Sequence, residues 1–481
     1  MTGDADYIDL SRYRPQQRSA ASDDKPDATL AAQLAQSPEG SEDWLALQLA
    51  RRHRQELRHV AAWNTWLRWD GNRWTEDRTT YVFDLARARL RDFIGTLKND
   101  GSARKIASAS TVAGIERLAR SDRTLAATAE QWDADAFALN TPGGIVDLRT
   151  GDLRPCDPLA YCTKCAAVAP APLGTLPPLW LKFLDFVTDG DAELIGFLQR
   201  VAGYALTGDV SEHALFFAAG FGGNGKGTTF NTLRAVFGDY GMTAPAEVFL
   251  ASTTDRHPTE LAGLRGARLV VASEVDKGRR WNEARIKSLT GGDPVRARFM
   301  RQDFFEFMPQ FKLVVFGNHR PSLSTVDEAI RRRLNLLPFN VTITPDIRDR
   351  ALPDKLKDEW PAILRWAIDG CLDWQAHGLQ PPPAVIAATQ KYFDDEDSVA
   401  AWLDECTQPV RAGFETNAAL FGSWKPYADR AGERAGNVKW LSEALRSKGW
   451  EMSRATDRAR TRGFKGIQIV RLATEDDRYG D

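Results

Sequence analysis

At 481 residues the chain exceeds what one hydrophobic core organises, so roughly two to four domains are expected. With 27% charged and 43% hydrophobic residues the composition is that of a globular protein, and a net charge of −2 excludes nucleic-acid binding through bulk basicity; such binding has to come from local patches. No apolar run approaches the roughly 18 residues that span a bilayer, and MTGDADYIDL has no signal-peptide pattern, so a cytoplasmic protein without a membrane partner is expected.

Residues 1–40 are rich in Ala, Ser, Asp, Gln and Pro with little apolar periodicity and read as a disordered tail. An α+β domain is expected over 41–175. It opens with a helix that Ser41 can cap and that carries Trp44, Leu47 and Leu49. WNTWLRWDGNRWTED then gives a hairpin around Asp70-Gly71, and VFDLARARLRDFIGTL a helix with Phe83, Leu85, Leu90 and Ile94 at helical spacing. LNTPGGIVDLRTGDLRPCDP follows as short strands with glycine turns. Cys162 and Cys165 form a C-x-x-C with Cys156 nearby, but lack the further ligands of a zinc site and read as reduced thiols.

A helical connector spans 176–212. Over 213–345 buried apolar strands (ALFFAAG, ARLVVASEVD, FKLVVFGNHRP, NLLPF) alternate with helices, which predicts an α/β core with a mostly parallel sheet. Ligands of such sheets sit at the carboxyl ends of the strands. A helical segment covers 346–396, broken by GLQPPPAV. The last stretch, 397–473, gives two helices and two strands joined by a basic loop, the order of a winged-helix module, before a short tail over 474–481.

The chemistry gathers at those strand ends. Gly220-x-x-x-x-Gly225-Lys226, between a strand and a helix, has the spacing of a phosphate loop: Gly220, Gly222, Gly223, Asn224, Gly225, Lys226, Gly227, Thr228 and Thr229 are its candidate nucleotide contacts. The hydroxyl expected directly after the lysine is replaced by Gly227, so Thr228 is the candidate magnesium ligand. Glu274 and Asp276 end the second strand and can order a metal-bound or attacking water; Asn318 ends the third and can face the γ-phosphate. Arg331-Arg332-Arg333 follow a short acidic helix. In IKSLTGGDPVRARFM, Lys287, Arg296 and Arg298 lie beside Phe299 and Phe304, a mixture that suits single-stranded backbone and bases. Near the carboxyl terminus Arg446, Lys448, Arg454, Arg458, Arg460, Arg462, Lys465 and Arg471 meet only Glu451 and Asp457 from 446 to 472, which fits phosphate contact.

Taken in order, NGKG, ASEVDKGRRWNEARIKSLTGGDPVRARFM, FKLVVFGNHRP and AIRRRLNLLPF closely resemble superfamily 3 helicases, specifically the phage and plasmid primase-helicase family that includes the poxvirus primase-helicase. WLRWDGNRW and the segment through LRPCDP resemble the domain that precedes the helicase core there, and DSVAAWLDE through GIQIVRL its winged module. The resemblance implies an AAA+-type ring, a homo-hexamer, that hydrolyses ATP with Mg2+ and moves on single-stranded or forked DNA alongside replication proteins. By matching position, Lys226 and Thr228 hold phosphate and magnesium, Glu274 is the acidic strand-end residue, Asn318 the sensor, and Arg332 or Arg333 an arginine finger; Lys287 and the loop after it touch DNA. Many relatives carry a primase domain ahead of the helicase, and here about 40 residues precede the resemblance, so no primer synthesis is expected of this chain. The alternative is an origin-binding or loading factor that uses ATP as a switch.

Overall fold

A computed structural model describes residues 36–97, 100–220, 222–252, 259–273, 278–300, 303–323, 327–431, 435–455 and 461–470. Most of the expected amino-terminal tail and all of the carboxyl-terminal one lie outside the described residues. The chain divides into two compact units, Met1–Ala134 with Cys156–Lys164, and Asp135–Pro155 with Cys165–Asp481. Among the described residues no helix is long and apolar enough to cross a membrane. Cys156, Cys162 and Cys165 are not in disulfides, and the Cys156 sulfur accepts from Asn72 Nδ2 at 3.1 Å.

In the first unit, helix α1 (Glu42–His53) starts where the Ser41 hydroxyl accepts the Trp44 amide at 3.1 Å. This satisfies one of the donors that a helix start leaves open. Strands β1 (Leu57–Val60), β2 (Thr65–Trp69) and β3 (Trp74–Glu76) form an antiparallel meander; its β2–β3 turn is pinned by Asp70 Oδ1 accepting the amides of Asn72 and Arg73. Helices α2 (Tyr81–Ile94) and α3 (Ala109–Ala119) and strand β4 (Ala126–Ala127) complete it, in the sheet order β3-β2-β1-β4. On α2 the buried stripe is Val82, Ala86, Leu90 and Phe93. Of the four residues picked by spacing only Leu90 lies in it; Phe83, Leu85 and Ile94 flank it half-buried. Helices cover one sheet face around Leu45, Leu49 and Ile115, and the other carries Trp74 and Trp132 with Trp63, Trp69 and Tyr161.

The second unit begins with an antiparallel meander, β5 (Ala138–Thr141), β6 (Gly144–Asp147) and β7 (Asp152–Arg154), then helices α4 (Pro178–Val187) and α5 (Ala192–Leu206). Its centre is a sheet built from β8 (Leu215–Ala219), β9 (Gly241–Pro245), β10 (Leu269–Ser273), β13 (Lys312–Gly317) and β14 (Leu334–Pro338). All its pairings are parallel and the order is β14-β8-β13-β10-β9. Buried on both faces, β8, β10 and β13 read as continuous apolar runs. Helices α6 (Lys226–Val236) and α7 (Glu283–Gly291), the hairpin of β11 (Val295–Ala297) and β12 (Phe305–Phe307), and the single turn α8 (Glu328–Arg331) connect the strands.

Two buried cations tie the amino-terminal end of this sheet to α5. Arg268 donates to the carbonyls of Leu206 at 2.7 Å and Ala138 at 2.9 Å, and Lys312 Nζ to those of Thr207 at 2.5 Å and Asp209 at 3.0 Å. These include carbonyls that a helix end leaves unpaired. Burial holds the Lys312 amine well below its ordinary value. Behind the sheet, α5 meets α9 (Trp360–His377) with backbone against backbone: a Cβ on Gly203 would lie 2.0 Å from the Cys371 nitrogen, and one on Gly370 2.2 Å from the Gln199 carbonyl oxygen. Helix α10 (Pro383–Glu396) packs on β14.

The last segment runs α11 (Ser398–Cys406), β15 (Thr407–Thr416), α12 (Asn417–Arg430), α13 (Val438–Ser447), β16 (Met452–Arg454) and β17 (Arg462–Ile469). Its sheet order is β15-β17-β16, over a core of Trp402, Leu420, Trp424, Phe464 and Ile467. The two helices and the final hairpin match the reading from sequence. Strand β15 does not appear in that reading: Pro409 and Gly413 interrupt its pattern, and its register with β17 shifts between Pro409 and Phe414.

Candidate functional site

Strand β8 runs straight into the glycine loop. Gly222, Gly223 and Gly225 have φ of +89°, +58° and +85°. Gly225 caps α6, and a Cβ there would sit 2.5 Å from Val187 Cγ1, so helix α4 presses on the loop at a point that only glycine allows. Two contacts with the chain beyond β14 fix the loop: Asn224 Nδ2 donates to the Phe339 carbonyl at 3.0 Å, and the Ile343 amide to the Gly223 carbonyl at 2.6 Å. Lys226, 4% exposed, turns back and donates from Nζ to the Gly220 carbonyl at 2.7 Å. Burial lowers its amine to about 8.

The two threonines after Gly227 do different things. The Thr229 hydroxyl donates to the Gly225 carbonyl at 3.1 Å inside the helix, and the residue is 1% exposed. Thr228 and Gly227 line the cleft over the loop. That cleft has a volume of about 1340 Å³. The first turn of α6 points its open amides there, a natural seat for anionic oxygen. Ser273 ends β10 in the same cleft and Asn318 follows β13, its Oδ1 3.6 Å from the position a Cβ on Gly222 would take. Glu274 and Asp276 lie outside the described residues.

The cleft is also flanked by residues that no motif marks in the sequence. Leu179, Lys182, Phe183 and Phe186 of α4 form one wall, and Ile343, Ile347, Arg348 and Leu352 the other; His319 joins Asn318. Phe186 and Ile347 are 44% and 51% exposed. The signal in the sequence was an amphipathic helix, LWLKFLDFV, with one large aromatic residue outside its buried face.

The arginine run splits three ways. Arg331 lies over the Phe393 ring at 5.0 Å. Arg333 is buried, with Nε donating to Thr290 Oγ1 at 3.2 Å and Nη1 to the Ala329 carbonyl at 2.7 Å; burial and the neighbouring Arg332 charge push its guanidinium below the ordinary value. Arg332 is exposed. Lys287 pairs with Asp327, the carboxylate that caps α8, so α7 and α8 are clasped together. Burial opposes ionisation of Asp327, but the Lys287 hydrogen bond and the Ile330 amide hold its carboxyl below the ordinary value.

On the β11–β12 hairpin, the guanidiniums of Arg296 and Arg298 lie 4.5 and 4.7 Å from the centre of the Phe304 ring. Phe299, Met300 and Phe304 are exposed there. Arg301, Arg458, Arg460 and Arg471 lie outside the described residues. Arg462 and Lys465 are exposed on β17, and Lys448 pairs with Asp397.

Residues 46–189 match the family described as D5 N terminal like, and residues 218–333 a family of unknown function (DUF5906). The chain is 23% identical over 299 residues to "Putative helicase L207/L206" of Acanthamoeba polyphaga mimivirus, an alignment that covers 54% of this chain and 29% of that protein. It is 27% identical over 234 residues to "Putative helicase 022R" of Frog virus 3 (isolate Goorha), covering 44% of this chain and 24% of that one. The chain thus spans less than a third of the length of these curated relatives. The apo structure of the NrS-1 C terminal region (305-718) aligns with a TM-score of 0.49 at 11% identity, over 90% of this chain and 100% of that one. The molecule is a mixed α/β protein with a glycine-loop cleft at the carboxyl edge of a parallel sheet. Its amino-terminal region is of the D5 type, and over part of its length the chain is similar to viral proteins named as helicases.

Proposed function

We propose that the chain is an ATP-driven DNA helicase of the superfamily 3 type, an AAA+-like ring that moves along single-stranded DNA during replication of a viral or plasmid genome. One observation carries this reading. A buried lysine sits in a glycine loop at the end of β8, with Asn318 beside it from the adjacent β13, in a parallel sheet of order β14-β8-β13-β10-β9. The relatives named as helicases support it.

In this reading loop amides and Lys226 hold the triphosphate, Asn318 faces its outer phosphate, and the walls from α4 and residues 343–352 enclose the base. Magnesium fits the donors: the Thr228 hydroxyl is at the cleft, whereas that of Thr229 is spent inside the helix. The ion would be held by Thr228 and would offset charge on the phosphates. Glu274 and Asp276 remain the proposed acidic partners. Arg332 reaches the neighbouring subunit's nucleotide in a homo-hexamer. The β11–β12 hairpin offers cations and aromatic faces to the strand in the channel. The last segment, with helices α12 and α13 and the β16–β17 hairpin, serves as a winged-helix module on DNA.

Thr228→Ala is expected to retain nucleotide binding and lose magnesium-dependent turnover, whereas Thr229→Ala keeps turnover and gives up one helical hydrogen bond, about 1 kcal/mol of stability. Titration with nucleotide in the presence and absence of magnesium, beside turnover and melting, checks both. The reading itself is tested by strand displacement on a forked duplex, with ATPase measured with and without single-stranded DNA. Wild type is expected to unwind and to be stimulated, and Arg296→Ala with Arg298→Ala to lose the stimulation. A protein that assembles, hydrolyses ATP and neither unwinds nor responds to single strands is not a helicase; duplex binding under ATP control would then make it a loading factor.

A further inference from the structure

The carboxyl-terminal segment contains a second cleft, of about 650 Å³, between the end of α13 and the β16–β17 hairpin. Arg446, Arg454 and Arg462 line it with a single carboxylate residue, Glu451, so its net charge is positive. Arg454 and Arg462 are direct cross-strand partners. Like charges placed opposite one another destabilise a hairpin, and the carboxyl end of α13 brings a third beside them. All three are exposed, and no carboxylate among the described residues lies within ion-pair distance of any of them. Charge concentrated in this way suits an anionic ligand with several phosphates in a row.

The outward face of α13 is different. Lys439 and Glu443, with side chains 86% and 64% exposed, lie one turn apart and 4.0 Å from each other, so the first two turns of this face offer little net charge; Arg446, a turn further along it, is the one that reaches the cleft. The cleft also lacks a stacking platform for unpaired bases: its one aromatic residue, Trp450, is half-buried against the segment's core.

We propose that this cleft grips the phosphate backbone of duplex DNA, and that the segment holds DNA through its hairpin side rather than the outward face of α13. The inference rests on the reading that this segment contacts DNA, and adds which surface does so and that it reads phosphate rather than sequence. Arginines fix position on phosphates without carrying sequence information.

The test measures binding of the full-length chain, without nucleotide, to a short blunt fluorescent duplex over a series of salt concentrations. Arg454→Gln with Arg462→Gln is expected to weaken binding about tenfold or more and to flatten the log–log salt slope by nearly two, about 0.9 for each lost phosphate contact. Lys439→Ala with Glu443→Ala should stay within about twofold, and Arg454→Lys with Arg462→Lys should keep the slope. Two unrelated duplex sequences should bind alike. If the α13 pair loses binding while the hairpin pair does not, the segment binds DNA but this inference is wrong. If neither pair matters while wild type still binds and unwinds, both the inference and the segment's DNA role fall, and the ATPase reading stands. Arg446→Gln alone gives the same reading, with a loss near one in slope, should the double variant not fold.

Discussion

Arg332→Ala is expected to lower ATP turnover by on the order of 10³-fold or more, the scale on which an arginine supplied in trans stabilises charge on a transferring phosphoryl group. The three arginines are neighbours, but only one is free to act across a subunit boundary. Arg331 is stacked on Phe393, and Arg333 is held inside its own subunit by Thr290 and Ala329. Arg333→Ala therefore has a different signature: it removes buried charge-assisted hydrogen bonds, costing roughly 2–3 kcal/mol of stability. Mixing subunits separates the roles. An Arg332→Ala chain and a Lys226→Ala chain, each inactive, regain turnover when combined, because one kind of interface then joins an intact Lys226 to an intact Arg332. Failure of the mixture to recover, with assembly verified, counts against a shared site.

Lys226→Ala is expected to reduce turnover by about 10²–10³-fold, the cost of removing one preorganised group from developing charge. Its titration gives a second handle. Burial without an opposing anion disfavours the ammonium, which is why its value falls to about 8. Bound triphosphate favours the ammonium and raises that value again. Nucleotide affinity is thus expected to be flat below pH 8 and to fall as pH rises through it, with proton uptake on binding near and above pH 8. For the free protein the sign is opposite: a depressed lysine contributes stability that is present above its unfolded value and lost as pH falls through about 8. Calorimetric titration in buffers of different ionisation enthalpy measures the uptake. Uptake that persists in Lys226→Ala assigns it to another group.

Much of this was legible because one physical pattern carried it. Strands buried on both faces read as near-continuous apolar runs, so β8, β10 and β13 stood out, and the glycine loop followed β8 directly. Edge and interrupted strands lacked that signature. Strand β9 is GMTAP, and β15 holds Pro409 and Gly413 across a register shift. Partnership was the other blind spot. Lys287 reads from sequence as a DNA contact and Arg333 as a candidate arginine finger, but Asp327 and Thr290, each distant in sequence from its partner, engage both. The wall from α4 was missed for a related reason: Phe186 belongs to a helix whose periodicity only marks what it buries against the core.

The glycine contact between α5 and α9 has a mechanical consequence. Where side chains separate two helices, rotamer changes and small gaps let the axes slide or splay under load. At Gly203 and Gly370 main chain bears directly on main chain, and there is nothing compliant between them. Sliding or splaying of α5 against α9 at this joint is therefore restricted, so the two helices are expected to move as one body. In the proposed ATP-driven cycle, shape change would fall instead where the loop after β8 meets the chain after β14, which are joined by the Ile343–Gly223 and Asn224–Phe339 hydrogen bonds.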